Sequence, residues 1–234
     1  MNSMLPRRAK LYIAFVLAAG LAVLLLAAES WSSPSPTQFA IYLALAGLAS
    51  TLKIRIPGIE STITPNFLFV ILAINGCRFS EVVTISLLAA VIQSVWASAK
   101  RPRLVQVAFS AAVLVVSAAA AYKLSHLLFQ GSAWESPVAV VFLAGCIYFP
   151  VNSALVAVVV GLASGKSLRE IWSLSDAWTF PYFMVGIVFA ALVTSGFNQS
   201  SSWKGGLVLI PAVILAHLYF KNRSSLPVTA KPSV

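Results

Sequence analysis

The chain has 234 residues, of which 59% are hydrophobic and only 9% are charged. An ordinary soluble domain contains roughly 25% charged residues, so this composition excludes a soluble globule with a polar surface. The net charge of +10 does not indicate nucleic-acid binding, because the cations occur in twos and threes between apolar runs and form no basic stripe with interleaved aromatics.

Long apolar runs recur along the whole chain. A bilayer core of about 30 Å needs about 20 mostly apolar residues per helix, and this rule predicts an all-α polytopic bundle of about eight transmembrane helices. In chain order the predicted spans are 11–28, 39–52, 59–76, 79–99, 104–124, 137–161, 177–197 and 205–220. Residues 11–220 then form a single transmembrane domain between the polar segments 1–10 and 221–234. Cleavage of the first span as a secretory signal would leave seven helices.

The basic residues of the loops predict the orientation. With these spans, Arg78, Lys123 and Lys204 lie outside, and the remaining 13 of the 16 basic residues lie inside. Cytoplasmic loops carry an excess of Lys and Arg, so both termini are predicted to be cytoplasmic. The predicted orientation depends on the third span. If 59–76 were re-entrant, every later loop would change sides, including 100–103.

No catalytic constellation is present in the sequence. The six acidic residues and two histidines form no HExxH, GxSxG, Walker-type or paired-carboxylate pattern. Cys77 and Cys146 lie in apolar segments without metal-ligand spacing and are interpreted as packing residues. We therefore expect a protein that is not an enzyme and has no metal or other cofactor.

Polar residues inside the spans are the candidates for specific binding: Asn66, Gln93, Asn152 and His217. A polar group in hydrocarbon must find a partner or line a wet cavity, and all four are predicted to lie in the cytoplasmic half. Asn152 follows Pro150, which favours a kink that exposes helix carbonyls. These residues predict a ligand pocket, with hydrogen bonding between helices as the alternative.

Charged residues near the span ends are further candidates. Lys53, Arg55 and Glu60 lie at the inner mouth of the third span and are interpreted as a gate or a structural salt bridge. Lys100, Arg101 and Arg103 are candidates for contact with anionic lipid, although orientation by charge alone also explains them. Arg78 and Glu81 are spaced for an i,i+3 ion pair at an outer helix start.

Four stretches resemble a known family: RIPGIESTITPNFLF at 55–69, KRPRLVQVAF at 100–109, FPVNSALVA at 149–157 and WTFPYF at 178–183. They are similar to the multi-helix membrane-associated sensor domains that precede diguanylate cyclase or HD-type phosphodiesterase modules in bacterial signalling proteins. The resemblance covers most of the chain from Lys53 to Phe220. It implies a sensory or ligand-recognition module in the bacterial inner membrane.

One departure from that family concerns signalling output. The tail from Lys221 to Val234 contains no GGDEF or HD motif, so we expect output to come from a signalling partner, in addition to contacts with the bilayer and a small-molecule ligand. The size and hydropathy also look similar to those of the substrate-binding membrane subunits of vitamin transporters, which gives small-molecule transport as the alternative. A structural scaffold for a membrane complex is the third hypothesis.

Overall fold

Nearly all of the described chain is helical. The computed structural model describes residues 5–55, 62–96, 102–131, 136–196, 204–211 and 213–214. The helices are α1 (Arg7–Glu29), α2 (Pro36–Thr51), α3 (Asn66–Gly76), α4 (Phe79–Val95), α5 (Leu104–Phe129), α6 (Pro137–Ser164) and α7 (Leu168–Ser195). Residues 204–211 and 213–214, at the last predicted span, are helical as well. The prediction of a helical fold is confirmed.

Three of these helices, α1, α5 and α6, are long and apolar enough to cross a membrane. They contain 23, 26 and 28 residues, which at 1.5 Å per residue gives lengths of about 34 to 42 Å. The hydrocarbon core is about 30 Å thick. The shorter apolar helices are α3, α4 and the 180–195 part of α7. The protein thus has helices suited to a bilayer, as the composition predicts.

The predicted third span is wrong at its start. Helix α3 begins at Asn66 and has 11 residues, whereas the predicted helix begins at Ile59. Before α3, β1 (Ile54–Arg55) pairs antiparallel with β2 (Thr62–Ile63). Thr64 precedes Pro65, and a residue before proline is disfavoured in helical conformation. Helix α3 is therefore only about 16 Å long.

Other helix boundaries also differ from the prediction. Helix α7 begins at Leu168 instead of Ala177, because its first turns contain Arg169, Glu170 and Asp176 and hydropathy alone does not mark them. Helix α4 ends at Val95, four residues before the predicted end. Hydropathy locates the apolar part of a helix, and polar turns can extend the helix beyond it.

Helix α3 lies at the centre of the bundle. Ten of its 11 residues are buried, and it contacts α2, α4, α5, α6 and α7. A helix that is apolar on all sides is typical of a buried position. Its side chains, including Phe67, Ile71 and Ile74, belong to the largest group of buried hydrophobic residues.

Glycines allow the outer helices to approach one another closely. A Cβ on Gly20 of α1 would lie 2.7 Å from the Cβ of Ala112 on α5, and one on Gly145 of α6 would lie 2.5 Å from Ile187 on α7. Membrane helices commonly pack through small residues, which bring the backbones together. These positions fix the contacts of α1 with α5 and of α6 with α7.

The two ends of α1 identify the two ends of the bundle. Arg8 lines a groove with Lys166, which follows α6, and Glu29 lines another groove with Lys123 of α5. Arg8 and Glu29 are 21 residues apart in one helix, or about 32 Å. We call these ends of the bundle the Arg8 end and the Glu29 end.

Basic residues of the described chain separate between these ends. The rings of Tyr12 and Phe109 are 6.5 Å apart, so α5 begins beside the start of α1 and Arg103 lies at the Arg8 end. Helix α4 starts at the groove of the Glu29 end, so its last turns lie toward the Arg8 end. There, Gln93 of α4 and Ser50 of α2 both bond to Asn66. Lys53, which follows α2, therefore also lies toward the Arg8 end. Arg78 and Lys123 lie at the Glu29 end.

Candidate functional site

Asn66 connects three elements of the bundle through its side-chain amide. Its Nδ2 donates to Ser50 Oγ of α2 at 3.1 Å and to Gln93 Oε1 of α4 at 3.0 Å. Its Oδ1 accepts from Thr64 Oγ1 at 3.0 Å. The structure therefore brings together Asn66 and Gln93, two of the four predicted pocket residues. We call Ser50, Thr64, Asn66 and Gln93 the polar cluster.

The polar cluster is held at the start of α3 by local structure. Pro65 is the N-cap residue of α3, so Thr64 and Asn66 lie on either side of the change from strand to helix. Ser50 is fully buried and donates to the carbonyl of Ala46 in its own helix at 2.7 Å. Both N–H groups of the Asn66 amide are used. This geometry is the one that hydrogen bonding between helices requires, and a ligand role for Asn66 and Gln93 stays a prediction.

Asn152 lies on α6, and its Oδ1 forms no hydrogen bond with the polar cluster. Its Oδ1 is buried and has no hydrogen-bond partner among the described residues. Pro150 lies within the same helix, and Asn152 follows Phe149 by three residues, which places both on one face of α6. A buried acceptor without a donor is uncommon and calls for an explanation, such as a water or a ligand. His217, the fourth predicted pocket residue, lies outside the described residues.

Aromatic rings next to the polar cluster form a group that the sequence analysis missed. Phe67 lies 4.2 Å from Phe183 between ring centroids, and Phe183 lies 4.8 Å from Phe149. Phe180 and Tyr182 extend this group, each with a centroid distance of 5.7 Å to Phe149 and Phe67 respectively. We call these five residues the aromatic cluster. It joins α3 to α6 and α7.

Three of the four stretches quoted in the sequence analysis meet in this region. Stretch 55–69 contributes Phe67, stretch 149–157 contributes Phe149, and stretch 178–183 contributes the three aromatics of α7. The fourth stretch, 100–109, contributes Phe109 to a separate contact with Tyr12 of α1. The stretches themselves were therefore the signal that could have indicated the aromatic cluster.

The charged candidates are described only in part. Lys53 is half-buried, the backbone of Arg55 belongs to β1, and Glu60 lies outside the described residues, so the predicted gate is untested. Lys100 and Arg101 also lie outside them. Arg103 is exposed and is the N-cap residue of α5, where its backbone N–H donates to Gln106 Oε1 at 3.0 Å.

Glu81 is a buried carboxylate at the Glu29 end, with 2% of its surface exposed. It accepts from the backbone N–H of Arg78 at 2.8 Å and from Ser33 Oγ at 2.6 Å. The Glu81 carboxylate thus contacts the main chain of Arg78. A carboxylate in the first turn of α4 also interacts favourably with the helix dipole. Ser33 lies between α1 and α2, so Glu81 connects this loop to α4.

Cys77 lies in the turn between α3 and α4, close to Glu81. Burial, and then the negative charge of Glu81, raises the pKa of the Cys77 thiol to about 12. A thiol with a raised pKa holds little of the reactive thiolate at neutral pH. Both Cys77 and Cys146 are free cysteines, and the environment of Cys77 is that of a packing residue.

Comparison of the chain with protein-family models, with curated proteins and with solved structures finds no match. What the protein does is therefore inferred from its own residues.

Proposed function

We propose that the protein crosses the bacterial inner membrane eight times, with both termini in the cytoplasm. The separation of the basic residues supports this topology, since Arg8, Lys53, Arg103 and Lys166 all lie toward one end of the bundle. Excess Lys and Arg is typical of the cytoplasmic side. The strand–helix crossing at β2 and α3 is compatible with eight spans, because non-helical backbone at membrane depth is tolerated where protein encloses it.

Within this topology, the proposed function is that of a sensor-type ligand-recognition module without its own catalytic output. The observation that favours it most is the position of Asn66. Its amide ties the central helix to α2 and α4, and the neighbouring Phe67 ties the same turn to the aromatic rings of α7. A ligand that replaces one of these contacts would alter the packing of several helices at once. A partner protein would then convert this change into a signal.

Ligand recognition of this kind works by a shift between two packings of the bundle. A ligand shifts the equilibrium only if it binds one packing more tightly than the other. The unpartnered Oδ1 of Asn152 provides an acceptor for such a ligand near the aromatic cluster. We therefore assign a ligand with a hydrogen-bond donor and an apolar or aromatic body.

Small-molecule transport is a second candidate, which the length of α3 favours. The helix covers about half of a 30 Å bilayer, so its N-terminus and the polar cluster lie near the middle of the bundle. In many transporters, discontinuous helices end near the bilayer midplane, and their termini form the substrate site. Here that terminus is the one at which Asn66 binds Ser50 and Gln93.

One experiment separates these functions. The protein is extracted in a mild detergent, and the small molecules and proteins that it retains are identified by mass spectrometry. Each retained molecule is then tested for uptake into proteoliposomes that contain the chain alone. The sensor function predicts a retained molecule or signalling partner and no uptake, whereas uptake that Asn66→Ala abolishes would establish transport. A retained partner protein with no small molecule would instead favour a scaffold.

A further inference from the structure

The grooves at the two ends of α1 have the same size and differ in the charges that line them. Each has a volume of about 310 Å³. At the Glu29 end, the charged residues are a carboxylate, Glu29, and an ammonium group, Lys123. At the Arg8 end they are Arg8 and Lys166, and the residues described there include no carboxylate on the groove wall. The second groove thus presents two cationic side chains, which suit an anion.

Apolar residues complete the groove at the Arg8 end. Val158 and Leu162 of α6 form its wall below the two cations, and Gly161 and Gly165 lie on the same face of the helix end. Gly165 has a φ of +72°, a left-handed conformation that glycine adopts easily. It ends α6 and allows the chain to turn, so that Lys166 lines the groove beside Arg8.

In the proposed topology, this groove lies at the level of the lipid headgroups. Arg8 is about 32 Å along α1 from Glu29, which is close to the thickness of the hydrocarbon core. Arg8 and Lys166 are exposed, whereas Val158 and Leu162 are half-buried. A molecule that fills the groove would thus meet cations at one end and an apolar helix surface at the other.

We propose that this groove binds the phosphate headgroup of an anionic phospholipid from the cytoplasmic leaflet, with its acyl chain against Val158 and Leu162. Two arguments favour a lipid over free phosphate. Val158 and Leu162 continue the groove along α6 away from Lys166, and in the proposed topology the groove lies at the level of the headgroups. Basic pockets between membrane helices on the cytoplasmic side are known sites for anionic lipid. The inference rests on the proposed topology, and it concerns residues outside the polar and aromatic clusters.

The experiment compares lipid binding in two pairs of variants. Arg8→Gln with Lys166→Gln removes both cations of the groove, and Arg7→Gln with Lys10→Gln removes the same charge from exposed positions beside it. Binding of phosphatidylglycerol and of phosphatidylcholine to the purified full chain is measured by native mass spectrometry. The groove pair should weaken phosphatidylglycerol binding about 10- to 30-fold, and the control pair less than about threefold. An equal loss in both pairs would overturn the proposal.

A second variant and a competitor test the apolar part of the site. Leu162→Trp fills the groove and leaves both cations in place, so it should also reduce phosphatidylglycerol binding; unchanged binding would contradict the proposal. Inorganic phosphate at millimolar concentration should not displace the lipid, and displacement would reassign the groove to free phosphate. Thermal unfolding of each variant shows that it is folded. None of these changes touches Asn66 or Gln93, so a failure here leaves the proposed sensor function standing.

Discussion

The side-chain nitrogen of Asn66 lies 3.0 Å from the side-chain oxygen of Gln93, although 27 residues separate them in the sequence. The same nitrogen also donates to Ser50 on a third element. One amide thus holds α2, α3 and α4 together at a position where Ser50 and Asn66 are buried. Hydrogen bonds between membrane helices typically contribute about 0.6 to 2 kcal/mol.

Replacement of Asn66 by leucine should lower the stability of the protein by about 1 to 3 kcal/mol, because the side chains of Ser50, Thr64 and Gln93 lose their partner. Thermal unfolding in detergent measures the change. Ser117→Ala is the matched control, since the buried Ser117 hydroxyl donates to the carbonyl of Val113 in its own helix at 2.7 Å. Equal effects of the two variants would show that the connection between helices contributes nothing.

Asn152→Leu should behave in the opposite way. Its Oδ1 has no partner among the described residues, so leucine removes a buried unsatisfied acceptor, and stability should stay the same or rise by about 1 kcal/mol. If Asn152 binds the proposed ligand, the variant should at the same time lose the small molecule retained on purification. A variant that is stable and still retains this molecule would remove Asn152 from the ligand site.

Gly20→Ala should destabilise the contact between α1 and α5 by about 1 to 3 kcal/mol. The new Cβ would lie 2.7 Å from the Cβ and 2.9 Å from the Cα of Ala112, so the backbones must move apart. Gly196→Ala is the control, because the nearest atom is 3.6 Å away. Unfolding temperatures of the two variants that fall by the same amount would contradict the packing of α1 on α5.

Cys77 should react slowly with maleimide at neutral pH, and faster as the pH rises toward its pKa of about 12. The reason is that only the thiolate reacts, and a raised pKa lowers the fraction of thiolate at every pH below it. Labelling rates in a Cys146→Ser background measure this, with an added cysteine at the exposed Ser35 as the reference thiol. Glu81→Gln should accelerate the reaction, because it removes the second cause of the shift.

Hydropathy predicted the positions of most described helices, and it predicted the start of the third span wrongly. Most of a transmembrane helix is specified by a run of apolar residues, and those runs are visible in the sequence. Residues 62–65 lie inside the predicted span and are not helical, because Pro65 and the β-branched Thr62, Ile63 and Thr64 favour extended backbone. Hydrophobicity does not distinguish a buried strand from a buried helix segment.

The sequence predicted individual residues of the candidate site but not the contacts between them. The cost of a polar group in hydrocarbon identified Asn66, Gln93 and Asn152, but nothing in the sequence indicates that Asn66 bonds Gln93 while Asn152 lies elsewhere. That depends on which helices are neighbours. Likewise, Ser33 reaches Glu81 across 48 residues, a contact that no local spacing specifies.

The topology is tested most directly by labelling single cysteines from one side of the membrane. In a Cys77→Ser, Cys146→Ser background, Ser35→Cys and Arg103→Cys are expressed separately in bacterial cells, and intact spheroplasts are treated with a membrane-impermeant maleimide. Ser35→Cys should react in intact spheroplasts, and Arg103→Cys only after the membrane is permeabilised. Labelling of Arg103→Cys in intact spheroplasts would place that end of the bundle outside and would contradict the proposed eight-span topology.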